Sequence, residues 1–263
     1  MELRRVVVTG LGALTPVGNT LQEYWDGLVS GRSGAVPITK FDAEKFKTRF
    51  ACEVKGFDPT AFIDRKEARK MDPFSQYAVV TADEAIRDSG LELEKEDRDQ
   101  IGVIWGSGIG GLQTFQDECF NFAKGDGTPR FNPFFIPKMI ADSASGLISM
   151  RHGLRGPSYV TVSACASSNN SMIDAFNYIR LGMCTAVVTG GSEAAINEAG
   201  VGGFNALHAM STRNDDPATA SRPYDLDRDG FVLGEGGAAI ILEDLEHARA
   251  RGARIYCEVP GRG

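Results

Sequence analysis

The chain has 263 residues, 42% of them hydrophobic, enough to bury a sizeable core and close to the upper size for one domain. Lys and Arg number 28 against 35 Asp and Glu, and the net charge of −7 argues against a nucleic-acid binder relying on a general basic surface. Five cysteines with no CxxC pair suggest neither a disulfide framework nor a zinc site, and no apolar run is long enough to span a bilayer, so a reducing cytoplasm is the expected setting.

The opening MELRRVVVTG runs from a short charged lead into a strand at 5–9 and holds no signal-peptide apolar region. A helix follows over 20–29, with Asn19 or Thr20 as its N-cap. Residues 65–71, if helical, place Lys66, Arg69 and Lys70 on one face at i, i+3, i+4 spacing. A longer helix is predicted over 74–89, with Tyr77, Val80, Ala85 and Ile86 as buried positions. Residues 101–105 and 186–189 read as strands covered on both faces, and 159–163 and 238–242 complete the set. Helices are expected over 112–124, 168–181 and 243–251. Strands separated by helices predict an α/β layered domain with a mainly parallel sheet. Two irregular insertions, 34–72 and 125–156, are expected to cap the sheet edge facing the site. Residues 254–263 echo 4–12 as a basic residue, a strand and a glycine-punctuated turn.

Residues 161–170, TVSACASSNN, read as a strand entering a tight turn of small residues with Cys165 at the bend and a helix behind it. The helix's unpaired N–H groups and the positive end of its dipole converge there, which favours thiolate over thiol, and thiolate is the nucleophile. Small neighbours leave room for a bulky acyl group. A buried structural cysteine at a packed junction is the alternative, and the local pattern does not separate the two.

Gly106, Gly108 and Gly111 satisfy GxGxxG between a strand and a helix. A dinucleotide site also needs a second strand ending in an acid about 20 residues on. A helix and the aromatic loop PRFNPFFIP stand there instead, so the dinucleotide reading is set aside. Phe131, Phe134 and Phe135 read as core anchors of an insertion. Lys66, Arg69 and Lys70 suit either a solvated face or a partner with an acidic recognition helix. The histidines are 152, 208 and 247; His247, in a charged helix, is expected at the surface.

Six motifs in order carry a resemblance over nearly the whole chain: VVVTGLGALTPVGN, GSGIGGL at 106–112, NPFFIP at 132–137, VSACASS around Cys165, GGFNALHAMSTRND at 202–215 and SRPYDLDRDGFVLGEG at 221–236. Together they resemble the first half of a β-ketoacyl-acyl carrier protein synthase of the elongating, synthase II-like type. The resemblance implies an α/β, thiolase-like fold with one complete N-terminal half over 1–252 and the start of a second half over 253–263. It implies decarboxylative condensation of malonyl-carrier with an acyl chain held on Cys165, no metal and no cofactor beyond the phosphopantetheine on the substrates, and a homodimer in the cytoplasm. It places Ile109, Phe134, Phe135 and Phe204 at the acyl chain, and Lys66, Arg69, Lys70 and His208 in the docking surface for acyl carrier protein. Members often have arginine where this chain has His208, which puts that contribution in doubt. None of the three histidines stands in the contexts that hold the family's two catalytic histidines, so the 263-residue chain is expected to be inactive alone. A half-length acyl- or carrier-binding partner and a thiolase-type acyl-CoA enzyme are the alternatives; NPFFIP, STRND and RPYDLDRDGF stand against the latter, and Cys165 against a non-catalytic partner.

Overall fold

The computed structural model describes residues 3–261. In chain order the elements are β1 (Val6–Leu14), α1 (Leu21–Val29), β2 (Val36–Pro37), β3 (Phe50–Ala51), α2 (Arg65–Ala68), α3 (Pro73–Ser89), β4 (Ile101–Gly106), α4 (Leu112–Lys124) and α5 (Phe135–Met139). They continue as α6 (Ser143–His152), β5 (Ser158–Thr161), α7 (Ser167–Arg180), β6 (Ala186–Glu193), α8 (Glu198–Ala206), β7 (Gly236–Asp244), α9 (Leu245–Ala250) and β8 (Cys257–Val259). Six strands form one sheet in the order β5-β4-β6-β7-β1-β8, and β2 and β3 make a separate small ribbon. β5, β4 and β6 are mutually parallel, and β7 is antiparallel to both β6 and β1. Four strands, β1 included, therefore run one way, while β7 and β8 run the other.

Alternation along the strands divides the core. Val103, Trp105, Val188 and Ile241 face α3 and α6, packing with Phe74, Tyr77, Ala78 and Ile148. Ile104, Val187 and Leu242 face the other way, onto Phe176 and Ile179 of α7. Because helices cover both faces, β4 is buried at every position, which is why it reads as an unbroken apolar run. Each large side chain taken fully out of water contributes about 1.5–3 kcal/mol. Asp72 caps α3 by accepting the Phe74 N–H, Pro73 fills the first helical position, and Gly90 ends the helix in the left-handed conformation. The Asp72 carboxylate also accepts Thr114 N–H and Oγ1–H at 2.9 and 2.7 Å, which ties α4 to the start of α3.

The predicted elements are present; α5, α8 and the β2–β3 ribbon were not predicted, and other expectations are corrected as follows. The insertion predicted over 125–156 is irregular only in its first part, because α6 is a core helix whose Ala144 and Ile148, four apart, pack beneath α3. α2 stops at Ala68 instead of reaching Met71, since Asp72-Pro73 begins a new helix and the residue before a proline avoids the helical region. Glu243, assigned to the last helix, belongs to β7 and is fully buried; the helix starts at Leu245 behind the cap Asp244. His247 is not a plain surface residue: Nδ1 lies 2.7 Å from Glu243 Oε1 and Nε2 lies 2.9 Å from Glu96 Oε2.

Candidate active site

The bend between β5 and α7 is built by small polar side chains. Ala164 sits at φ +51°, in the left-handed region. Its carbonyl accepts both the N–H and the Oγ–H of Ser167, at 3.1 and 2.7 Å. Ser167 Oγ in turn accepts the Ser163 N–H at 2.9 Å, and Asn170 Nδ2 donates to Ser163 Oγ at 2.6 Å. The first turn of α7 rests on the ends of β4 and β6. A Cβ at Gly106 would lie 2.5 Å from Ser168 N, and one at Gly191 would lie 2.7 Å from Ser168 Cβ, so only glycine permits that approach. Cys165 is thereby held at the carboxyl ends of three parallel strands, the usual place for a ligand crevice in such sheets. No side chain caps α7, and the positive end of its dipole is left to Cys165 beside it.

Beside the cysteine lies a cavity of about 630 Å³, within the size of a small-molecule site. Its wall is mainly apolar, with Ile109, Ala195, Phe204, Phe231 and Leu233 among the lining residues. Phe204 and Phe231 meet edge to face with ring centres 5.3 Å apart. Among the described residues Cys165 is the cysteine that lines this cavity, and it is exposed. Cys184, by contrast, is buried in the core, and desolvation pushes its thiol up to about 11.

Two carboxylates that sequence reasoning passed over complete the wall. Glu193, at the end of β6, accepts the N–H groups of Gly108, Ile109 and Gly110 at 2.7, 3.0 and 3.3 Å and the Ser107 hydroxyl at 3.2 Å. Burial pushes its carboxyl above the ordinary range, and the loop donors offset only part of that. Glu235 accepts Lys40 Nζ at 2.5 Å and the Val54 N–H at 2.9 Å; burial raises it as well, with Lys40 pulling the other way. An acid closing the strand that begins with the apolar run 186–189 was the available signal for Glu193, but its partners lie more than eighty residues earlier.

Of the four residues expected at the acyl chain, Ile109 and Phe204 line the cavity with Cys165. Phe134 and Phe135 lie outside its lining. Phe135 stacks between Phe131 and Phe115, and Phe134 sits 5.7 Å beneath Lys70 Nζ. Phe135 thus belongs to an aromatic stack that joins α4 to the loop before α5, whereas Phe134 and Phe131 are exposed, so these phenylalanines are not core anchors. Lys66 and Arg69 are exposed around the single turn of α2, while Lys70 is half-buried and paired with Glu67 at 2.7 Å. His208 is exposed beyond α8 at φ +54°. None of His152, His208 and His247 lines the cavity.

Cys165 thus stands at a strand-to-helix elbow, on parallel strand ends beside an apolar cavity, in an α/β domain. Residues 3–248 match the family described as beta-ketoacyl synthase, N-terminal domain, and the chain belongs to that family. It is 51% identical over 261 residues to a 3-oxoacyl-[acyl-carrier-protein] synthase 2 of Synechocystis sp., covering 99% of this chain and 62% of that protein. The fold is similar to a beta-ketoacyl synthase from Burkholderia phymatum at a TM-score of 0.89 and 34% identity, over 98% of this chain and 63% of the other. It is also similar, at 0.87 and 28% identity over 99% and 63%, to a type II ketosynthase solved with its acyl-carrier protein. The architecture is that of the thiolase-like ketosynthases. The chain spans somewhat less than two thirds of the length of these relatives.

Proposed function

We propose that the protein acts as a β-ketoacyl-acyl carrier protein synthase in acyl-chain elongation. The observation that carries this reading is Cys165, an exposed thiol at an uncapped helix start beside an apolar cavity. In the first half-reaction the Cys165 thiolate attacks the thioester carbonyl of an acyl chain on a phosphopantetheine arm. The tetrahedral intermediate collapses, the arm leaves as a thiolate, and the acyl group stays on Sγ with its chain in the cavity. The Cys165 N–H is one donor to the oxyanion. In the second half-reaction a malonyl unit on a carrier loses carbon dioxide, and its carbanion attacks the acyl carbonyl and releases Cys165. The enolate of that step needs donors that His152, His208 and His247 do not bring to this cavity. No metal or redox group enters either step.

Incubation with an acyl thioester should add one acyl mass to the chain, and Cys165→Ala should abolish the addition. Iodoacetamide followed by peptide mapping should label Cys165 first; preferential labelling of Cys52, Cys119, Cys184 or Cys257 would overturn the reading.

Acyl carrier protein is the proposed partner, and a similar ketosynthase has been solved with one. The exposed Lys66 and Arg69, with Lys70 beside them, supply positive charge for an acidic carrier surface. Charge reversal at Lys66 and Lys70 should weaken carrier-dependent acylation while sparing iodoacetamide labelling. The wild-type interaction should itself weaken with salt, as exposed charges are screened over about 8 Å at physiological ionic strength. Unchanged carrier kinetics would leave α2 a plain solvated turn.

A homodimer through β5 is part of the same proposal. β5 is an edge strand, and Met150 and Val162 close to it are exposed apolar residues. Sedimentation of the chain checks this. The division into a first half over 1–252 and the start of a second over 253–263 is also proposed, with β8 running antiparallel along β1. Among the described residues no helix is long and apolar enough to cross a membrane, and a cytoplasmic setting is proposed.

A further inference from the structure

The loop from β4 to α4 is held from two sides. On its outer side the Gly111 N–H donates to Met139 O at 2.8 Å, and Gly110, at φ +80°, lies so near that carbonyl that an added Cβ would stand 2.8 Å from it. On its inner side three successive N–H groups, those of Gly108, Ile109 and Gly110, curl around one carboxylate, Glu193. Successive N–H groups in such a curl make an anion-binding concavity. Here the anion is the protein's own. Ser107 Oγ closes the ring, donating to Glu193 Oε1 at 3.2 Å and accepting the Gly110 N–H at 3.1 Å. Among the described residues no lysine, arginine or histidine is a partner of Glu193, whose charge is met by the loop's dipoles and the Ser107 hydroxyl. A Cβ at Gly108 would lie 3.0 Å from Glu193 Oε2 and 3.4 Å from Ala164 O, which places this clamp against the residue preceding Cys165. The side chain carried at the crest is Ile109, which lines the cavity.

We infer that Glu193 is a positioning residue that pins the loop 107–110 and so holds Ile109, which the resemblance puts at the acyl chain, in place as a wall of the Cys165 cavity. The inference rests on the proposed role of Cys165 and adds the residue that holds the cavity wall in position. A carboxylate suits the task because hydrogen bonds to a charged acceptor are short and about twice as strong as neutral ones. An amide at the same position offers its NH₂ to groups that are themselves donors, and so releases one arm of the clamp.

The test compares alkylation of Cys165 by iodoacetamide and by N-dodecyl-iodoacetamide, read by intact mass with peptide mapping. In Glu193→Gln the ratio of long-probe to short-probe rate should rise roughly tenfold, the change expected when a charge-assisted clamp worth about 1.4 kcal/mol is lost. Ile109→Ala should raise the same ratio. The double variant should match Ile109→Ala alone, because both changes act through one side chain. Additive effects, or an unchanged ratio, would overturn the inference. If iodoacetamide itself failed to map to Cys165, the functional proposal would fall separately. Hydrogen exchange of the unmutated chain guards against a variant that does not fold. The Gly108 and Ile109 amides should exchange slowly although they lie in a loop, and free exchange there would also overturn it.

Discussion

Two glutamates, one fully buried and one half-buried, stand at opposite ends of the same pair of strands. β6 and β7 are antiparallel, with Glu193 opposite Gly236 at one end and Glu243 opposite Ala186 at the other. Glu243 is fully buried and saturated with donors: Thr9 Oγ1 at 2.7 Å, Arg251 Nε and Nη2 at 2.7 and 2.8 Å, and His247 Nδ1 at 2.7 Å. Burial alone would raise its carboxyl, but Arg251, Thr9 and His247 outweigh it and hold the group below the ordinary range. Glu193 has backbone dipoles and a hydroxyl for company, and for it burial wins. The end remote from Cys165 is arranged for stability. The end beside Cys165 keeps a poorly compensated carboxylate and a left-handed alanine, the kind of local cost that functional sites retain.

The largest effect expected from this contrast is at Glu243. Glu243→Ala leaves the Arg251 guanidinium with the Ser89 carbonyl as its remaining hydrogen-bond partner and leaves Thr9 buried. Breaking a buried ion pair by removing one partner costs about 3–5 kcal/mol, and urea unfolding should show a loss of that order. The folded fraction should still alkylate at Cys165. A loss below about 1 kcal/mol would mean that the cluster is no more than a surface pair.

Smaller, but of opposite sign at the two ends, is the dependence on pH. Glu243, held low, contributes stability that is present above the ordinary value of 4.5 and lost as pH falls through its folded value. Glu193, held high, contributes stability that is full below 4.5 and lost as pH rises through its folded value. Glu243→Gln should therefore cost most near neutrality and least in acid. Glu193→Gln should cost most in acid and progressively less toward neutrality. Denaturant midpoints measured from pH 4 to pH 8 give both slopes. Parallel slopes for the two variants would erase the distinction drawn between the two ends.

Much of this molecule was legible in the chain because its physics is local. α4 falls on its predicted bounds, and β4 and the elbow at Cys165 lie where apolar runs, caps and small residues put them. The direction of β7 was not legible, since its antiparallel course follows from which neighbours it meets and not from its own residues. α6 was missed because its pattern is sparse, with Ala144 and Ile148 buried among serines and glycine. Cys165, Ile109 and Phe204 were named in advance and lie around one cavity, whereas Glu193 and Glu235 were not named. Their partners come from distant segments, Glu193 from 107–110 and Glu235 from Lys40 and Val54, and an acid's meaning there is set by what folds over it.

The finest probe of the contrast is Ala164. An L-residue in the left-handed region is strained by the approach of its own Cβ to the backbone, and such positions cost of order 1–3 kcal/mol. At Ala164 the strain is maintained by Ser167, whose N–H and Oγ–H both bind the Ala164 carbonyl. Glycine would relieve the strain but would also free the unfolded chain, so the net gain from Ala164→Gly should be about 0.5–1 kcal/mol. The same change loosens the bend that presents Cys165, and alkylation by iodoacetamide should slow even as the protein becomes harder to unfold. A stability gain with slower alkylation places the strain in the service of the cysteine. A loss of stability would show that the turn is relaxed with alanine, and the only cost left at this end of the sheet would then be the carboxylate of Glu193.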